Sequence, residues 1–466
     1  MLWNKEELIA ALSDELLEHN LDDNLTVDEV VIDSRKITKS GLFIAIRGEK
    51  NDGHDYLEQA AKNGCKIALI DKKLPAYPLL ISAILVKDTV KALYKLAEFS
   101  RQRSAAKIIA VTGSVGKTST KEMLKLSFSA YGKTFATPGN LNNHFGLPLC
   151  LANFSKDCEF GIFEMGMNHL NEIDPLSKLA RPHLAIITTV GPVHIEFFKD
   201  EQEIALAKSE IFSGLVEGGI ALINRDNQHF NFLKKRAEIL NKKVRSFGLN
   251  NESDYCLKKS QIKEVNLSEI ELGNGVSYQI SSSNKTAIFN SVIVAAALDL
   301  VTKDSKKGLA ELLKLENGTG RGKISEVSIN NKNITIIDDS YNASLPSIKA
   351  GIEYACELKL ALKKKRVVVA LGDMLELGEK SVELHEKAAN YLAELAVDFA
   401  ILVGSRMTDV AIKLTKISNK KFSDSITASL EIEELLNDGD ILYVKGSRGM
   451  KMEKLIEKLT NTTNAH

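Results

Sequence analysis

The sequence predicts an α/β protein of three domains, and three observations carry that prediction. Its 466 residues exceed the roughly 250–300 at which a single hydrophobic core stops growing. Short apolar runs recur along the chain between helix-like segments, the pattern of parallel strands covered by helices. One run, Ile108–Val111, passes into a glycine loop and then into a helix with apolar Met123, Leu124 and Leu126. A strand–loop–helix unit of that kind builds a phosphate-binding turn.

The elements follow in order. Runs at 42–46, 67–70 and 83–86 read as strands of a small α/β unit, placed at residues 1–104. A polar, basic stretch at Arg101–Ala106 precedes the next apolar run, and a domain boundary is expected there. Strands are then expected at 108–111, 160–163, 184–188 and 220–223 of a middle domain spanning 105–316. The glycine-rich, charged segment 317–323 opens a third domain, 317–466, with strands at 334–337, 367–371, 399–403 and 441–444. No internal repeat or low-complexity tract interrupts this series. Ligand sites are expected beyond strand ends and in the clefts between domains.

Composition narrows the function. Lys plus Arg number 61 and Asp plus Glu number 61, so no net field draws in a polyanion, and nucleic acid is not expected as a partner. The five cysteines are scattered, without a C-x-x-C pair, which fits reduced thiols and a cytoplasmic location. Met1–Asn20 reads as an amphipathic, acidic, helix-like stretch lacking a basic leader, and no apolar run approaches the ~20 residues of a membrane span. Secretion and membrane insertion are therefore not expected, and a monomer is the expected state.

The strongest local signal is KIIAVTGSVGKTSTKEMLKL at 107–126. Gly113 and Gly116 would let backbone N–H groups approach phosphate oxygens, Lys117 adds a point charge, and Thr118 would ligate Mg²⁺. The common G-x-x-x-x-G-K-[ST] pattern wants glycine at 111, where this chain has Val111. Thr137–Leu147 follows as a turn-forming segment with three asparagines, able to present amides but no charge. Glu164 ends an apolar run, where a carboxylate can face a loop-bound metal or simply cap a strand. A lone histidine and a lone lysine are usually structural, so His194 and Lys208 rank low by themselves. Asp338 and Asp339 end one strand of the third domain, and Lys445, Ser447 and Arg448 follow another.

Together these segments resemble the Mur ligases. The family form of the phosphate loop, T-G-x-x-G-K-[TS], fits Thr112–Thr118 and accommodates Val111. The resemblance runs nearly end to end through DSRKITKSGLFIAIRGEKNDGHDY (33–56), GNLNNHFGLPL (139–149), DDSYNASLPS (338–347), LGDMLELGEKS (371–381) and VKGSRGMKME (444–453). It implies a central P-loop ATPase domain, a smaller N-terminal domain for the UDP end of the substrate and a Rossmann-like C-terminal domain. It also implies the activity: ATP-dependent addition of D-alanyl-D-alanine to UDP-N-acetylmuramoyl-tripeptide through an acyl phosphate.

Residue roles follow from the same resemblance. ATP would lie on Gly113, Ser114, Val115, Gly116, Lys117, Thr118 and Ser119, with Asn140, Asn290, Arg321 and Asp339 around it. Two Mg²⁺ ions are implied, one on Thr118 and Glu164 and one on His194 and a carbamylated Lys208. Lys117, His194 and Lys208 would be the catalytic set. Ser34, Arg35, Asp52, Gly53 and His54 would hold the uridine diphosphate. The family's H-N-x-x-N-A stretch is altered here, since Phe289 and Ile293 flank Asn290 in place of His and Asn. The competing readings are a sister ligase adding a single amino acid, a folylpolyglutamate synthase and a nucleotide switch. The DNPR tetrapeptide of diaminopimelate-adding sisters is absent.

Overall fold

Runs of Val, Ile, Leu and Ala with no polar alternation must be covered on both faces, and here they form the central strands of three sheets. The computed structural model describes residues 1–463 apart from 38–39, 49–50, 74–80, 194, 265, 317–319, 321, 396, 412–413 and 415–416. The three-domain α/β architecture expected from the sequence is the one observed.

The N-terminal sheet has the order Leu16–His19, Ser82–Val86, Ile67–Ile70, Gly41–Ile44, Glu29–Val31, parallel except for its first strand. Met1–Asn20 differs from the single helix-like stretch expected. The helix is only Lys5–Leu12, opened by an Asn4–Glu7 capping box, and Leu16–His19 is an edge strand antiparallel to Ser82–Val86. Four residues reading Leu-Leu-Glu-His carry no period of their own, so the free sheet edge decides their conformation.

The basic joint before the middle domain is anchored by a buried arginine. Arg101 is 5% exposed and donates from Nε to Ala180 O at 2.6 Å and from its terminal nitrogens to Ser104 O and Arg181 O, both at 3.1 Å. Trp3 Nε1 donates to Ala152 O at 2.9 Å, and Asn153 exchanges two hydrogen bonds with the Val30 backbone, at 2.9 and 2.8 Å. These contacts fix the first two domains to each other with directional bonds as well as apolar packing.

The middle sheet runs 134–136, 160–164, 107–112, 184–187, 220–224, 243–248 as parallel neighbours, then extends through the hairpin strands 255–264, 267–272 and 277–280. Helix Lys285–Thr302 is apolar and long enough to cross a membrane by composition. It is instead a core helix, buried without a break from Asn290 to Leu298 against the strands around Val111 and Ile186. The C-terminal sheet has the order 323–329, 332–339, 440–445, 366–372, 399–403, 418–422, antiparallel only in its first pair.

Two registers position the site. Glu164 pairs with Val111, so the carboxylate lies beside the strand end from which the glycine loop departs. Asp339 pairs with Lys445 at the carboxyl edge of the C-terminal sheet, where open α/β sheets place ligands.

Candidate active site

The glycine loop takes its shape from contacts that only glycine permits. Gly113 has φ +153° and Gly116 φ +85°, and a Cβ on Gly113 would fall 1.9 Å from Thr188 Oγ1. Thr188 Oγ1 donates to Val115 O at 2.6 Å. Ser114 Oγ donates to Gly191 O and accepts from Gly191 N, each at 2.9 Å. The loop is thus clamped to the neighbouring strand end. It opens the helix Lys117–Phe128, whose N-terminus no side chain caps, which leaves its first N–H groups for an anion. Lys117 Nζ folds back to Gly113 O at 2.6 Å.

Glu164 is 2% exposed. Its Oε1 accepts from Asn142 Nδ2 at 2.9 Å, while Oε2 is buried without a partner. A buried, unpartnered carboxylate oxygen bordering the same cavity as Thr118 is a site that a divalent cation fits. Among the described residues no three His, Cys, Asp or Glu side chains converge, so such a cation would take most of its ligands from phosphate and water.

Lys208 is 3% exposed on the helix Glu201–Ser209. Burial first, and the neighbouring charge of Lys117 second, push its pKa far below the ordinary lysine value. His194 and Arg321 lie outside the described residues. Asn290 is 3% exposed with Nδ2 unpartnered, and its Oδ1 lies 3.2 Å from where a Cβ on Gly116 would be.

The C-terminal domain closes the other wall. Lys445, 3% exposed, donates to Asp339 Oδ2 at 2.6 Å, and the Tyr443 hydroxyl donates to the same oxygen at 3.0 Å. Gly351 leaves room for that hydroxyl, since a Cβ there would lie 1.9 Å from it. Residues 114–119, Asn140, Asn142, Glu164 and Asn290 from the middle domain and Asp339, Tyr341 and Lys445 from the C-terminal domain line one cavity of about 330 Å³. That volume suits part of a small-molecule ligand.

The N-terminal candidates lie apart from this cleft. Ser34 is 6% exposed, with Oγ bonded to Gln59 Oε1 at 3.3 Å. Arg35 is exposed and grips Asp33 with two bonds of 2.9 Å, which hold the Asp33 pKa down at about 2. His54 is turned inward, its Nδ1 2.5 Å from Asp52 Oδ1 and its Nε2 3.3 Å from the Asp71 backbone N–H. Gly53 has backbone at 2.6 Å from any added Cβ. Asp52 also accepts from Lys72 at 2.8 Å. Arg35 and Asp52 are therefore the members of this group with reachable polar atoms, and Gly53 and His54 shape the turn.

Comparison with known proteins bears on this geometry. The model of the Mur ligase middle domain matches residues 111–298, that of the Mur ligase glutamate ligase domain 324–448, and that of the Mur ligase family catalytic domain 26–101. The UDP-N-acetylmuramoyl-tripeptide--D-alanyl-D-alanine ligase of Rickettsia prowazekii (strain Madrid E) is 34% identical over 463 residues, 98% of this chain and 99% of that one. The chain belongs to the Mur ligase family. The ligase of the same name from Bacillus subtilis (strain 168) is 32% identical over 92% of both chains. Among solved structures, MurF from Acinetobacter baumannii is similar with a TM-score of 0.84 at 27% identity, covering 98% of this Mur ligase and 99% of that chain. MurF ligase from Thermotoga maritima in complex with ADP gives 0.80 at 27% identity, covering 95% and 99%.

The structure of this Mur ligase adds residues that the sequence reading did not single out. Asn142 holds Glu164, Thr188 clamps the phosphate loop, and Tyr443 joins Lys445 on Asp339. The only sequence signal for Asn142 is its place two residues after Asn140 in the asparagine-rich turn. Tyr443, inside the strand Asp440–Lys445, and Thr188, just past the strand Leu184–Ile187, continue apolar runs and carry none.

Proposed function

We propose that this Mur ligase joins D-alanyl-D-alanine to the terminal carboxylate of UDP-N-acetylmuramoyl-tripeptide, converting ATP to ADP and phosphate and yielding the UDP-muramoyl-pentapeptide. One observation carries the proposal beyond the likeness to its relatives. The phosphate loop of one domain and the Asp339–Lys445 pair of another line a single cavity, as a reaction between a nucleotide and a second substrate requires.

A carboxylate is a poor electrophile, so its oxygen must first become a leaving group. The carboxylate oxygen attacks the γ-phosphorus and ADP departs, leaving an acyl phosphate. The free amine of the dipeptide then attacks the acyl carbon, loses its proton, and phosphate leaves with one of the original carboxylate oxygens. The protein's part is positioning and electrostatics. The N–H groups of Ser114–Ser119 and the Lys117 ammonium hold the phosphates, and Asn140, Asn290 and Arg321 flank the nucleotide. Asp339, oriented by Tyr443 and Lys445, faces it as a hydrogen-bond acceptor.

Thr118 and Glu164 would hold one Mg²⁺, with His194 and Lys208 beside the acceptor carboxylate at a second. Bound there, Mg²⁺ supplies positive charge between oxygens that would otherwise repel. An ammonium cannot ligate a cation. A Lys208 whose pKa is pushed down is more readily the neutral amine that captures CO₂, and the resulting carbamate offers oxygen ligands. The N-terminal domain, through Arg35 and Asp52, takes the uridine diphosphate end, with Ser34, Gly53 and His54 shaping the segments that carry them. The enzyme works in the cytoplasm as a monomer, with domains 1–104, 105–316 and 317–466 dividing these tasks.

The acyl phosphate is tested by isotope transfer. With ¹⁸O in both oxygens of the tripeptide's terminal carboxylate, each phosphate released should carry one ¹⁸O. Phosphate without label would remove the acyl phosphate from the mechanism.

A further inference from the structure

Four residues after Lys117, on the same face of the phosphate-loop helix, Lys121 is fully buried, with 0% of its side chain exposed. A buried ammonium persists only where its hydrogen-bonding capacity is met. Here Nζ reaches Thr137 O at 2.7 Å, Gly139 O at 3.3 Å and Glu122 Oε1 at 2.8 Å. Two of these three acceptors are main-chain carbonyls of the loop that carries Asn140 and Asn142.

The other side of that loop is tied to the strand bearing Glu164. Thr137 N donates to Ile162 O and Glu164 N to Thr137 Oγ1, each at 3.0 Å. Gly166 N donates to Asn142 O, and Asn142 Nδ2 to Glu164 Oε1, each at 2.9 Å. A connected path therefore runs from the phosphate-loop helix through Lys121 and residues 137–142 to the carboxylate whose Oε2 is left unpartnered.

We infer that Lys121 is a positioning residue: its ammonium fastens the asparagine loop to the phosphate-loop helix, and so presents Glu164 to the cation that accompanies the nucleotide. The inference rests on the reading of Glu164 as a cation ligand. An apolar side chain would fill the same space but leave the carbonyls of Thr137 and Gly139 without this donor. The loop would then be free to shift, and Asn142 with it.

The test measures Mn²⁺ binding to the enzyme–ADP complex by water-proton relaxation, beside thermal stability and ADP affinity in EDTA. Lys121→Met should weaken Mn²⁺ binding about 10-fold or more, as loss of a group that orients a metal ligand does. ADP affinity in EDTA should fall by less, since Asn140 is the residue of this loop that flanks the nucleotide. Asn142→Ala should do the same, and the double variant should be no worse than the weaker-binding single variant, because both act through one path. Lys121→Gln, which keeps one amide donor for the two carbonyls, should lie between wild type and Lys121→Met, and it carries the test if the methionine variant does not fold. A fall in melting temperature with Mn²⁺ affinity unchanged would overturn the inference, as would additive losses in the double variant. Glu164→Gln separates the two readings. If it weakens Mn²⁺ while the Lys121 variants do not, the inference alone fails; if it has no effect, the cation reading fails and the inference falls with it.

Discussion

Lys445 Nζ lies 2.6 Å from Asp339 Oδ2, at adjoining strand ends of the C-terminal sheet. The lysine side chain is 3% exposed and the aspartate 27%, so the pair borders the cleft with its cation inside and its anion at the surface. Removing the lysine leaves a carboxylate without its charged partner. Lys445→Met should raise KM for ATP about 10-fold, the loss of one charge-assisted contact. It should also lower the unfolding free energy by about 1–3 kcal/mol, less than for a wholly buried pair. Steady-state kinetics and urea denaturation read the two effects separately.

Lys117 sits on the cleft wall with its ammonium folded onto Gly113 O, where it can follow phosphate charge. Lys117→Met should lower kcat by about 10²–10³ while the melting temperature stays within about a degree or two of wild type, because little of the core depends on it. A loss of activity matched by a loss of folding would show that the residue is structural.

Lys208 is buried beside the charge of Lys117, and its pKa is lowered. Enzyme equilibrated with ¹³C-bicarbonate should show one carbamate carbonyl signal by NMR that Lys208→Ala lacks. Activity in CO₂-free buffer should fall and return when bicarbonate is added. The same signal in the alanine variant would place the carbamate elsewhere.

His183 Nδ1 accepts the Ile108 N–H at 3.0 Å, at the start of the strand that feeds the phosphate loop. Burial, with Lys107 and Arg101 nearby, lowers its pKa to about 4. Unfolded, it would titrate near 6.5. The neutral ring is thus favoured in the fold, so its contribution is complete above about 6.5 and is lost as pH falls toward 4, at most about 3 kcal/mol and less after solvent screening of this half-buried ring. Denaturation between pH 7 and pH 4 should show this slope in wild type and a shallower one in His183→Gln.

The legible parts of the fold were those whose burial is written locally. Ile67–Ile70 and Phe399–Val403 were read at their observed bounds because both faces are covered and the run is wholly apolar. Tyr255–Glu264 was not read, since its last seven residues are exposed and mostly polar, three of them lysine, and pairing alone makes it a strand. The strand, glycine turn and helix of 107–128 were legible because they are consecutive in the chain. Asn142 and Glu164 are 22 residues apart and meet only because the strands Thr134–Ala136 and Phe160–Glu164 are neighbours. Likewise Lys121 resembles any exposed helix lysine in sequence, and only the fold of residues 137–139 over it reveals a buried one.

The central claim is tested most directly by measuring ADP and product together. Enzyme, Mg²⁺-ATP and UDP-N-acetylmuramoyl-tripeptide are combined with and without D-alanyl-D-alanine, with single D- and L-amino acids as controls, and the nucleotide products are resolved by mass spectrometry. The account predicts UDP-muramoyl-pentapeptide and ADP in equal amounts, formed only with the dipeptide. Product from a single amino acid, or ADP formed at the same rate without any amine, would contradict it.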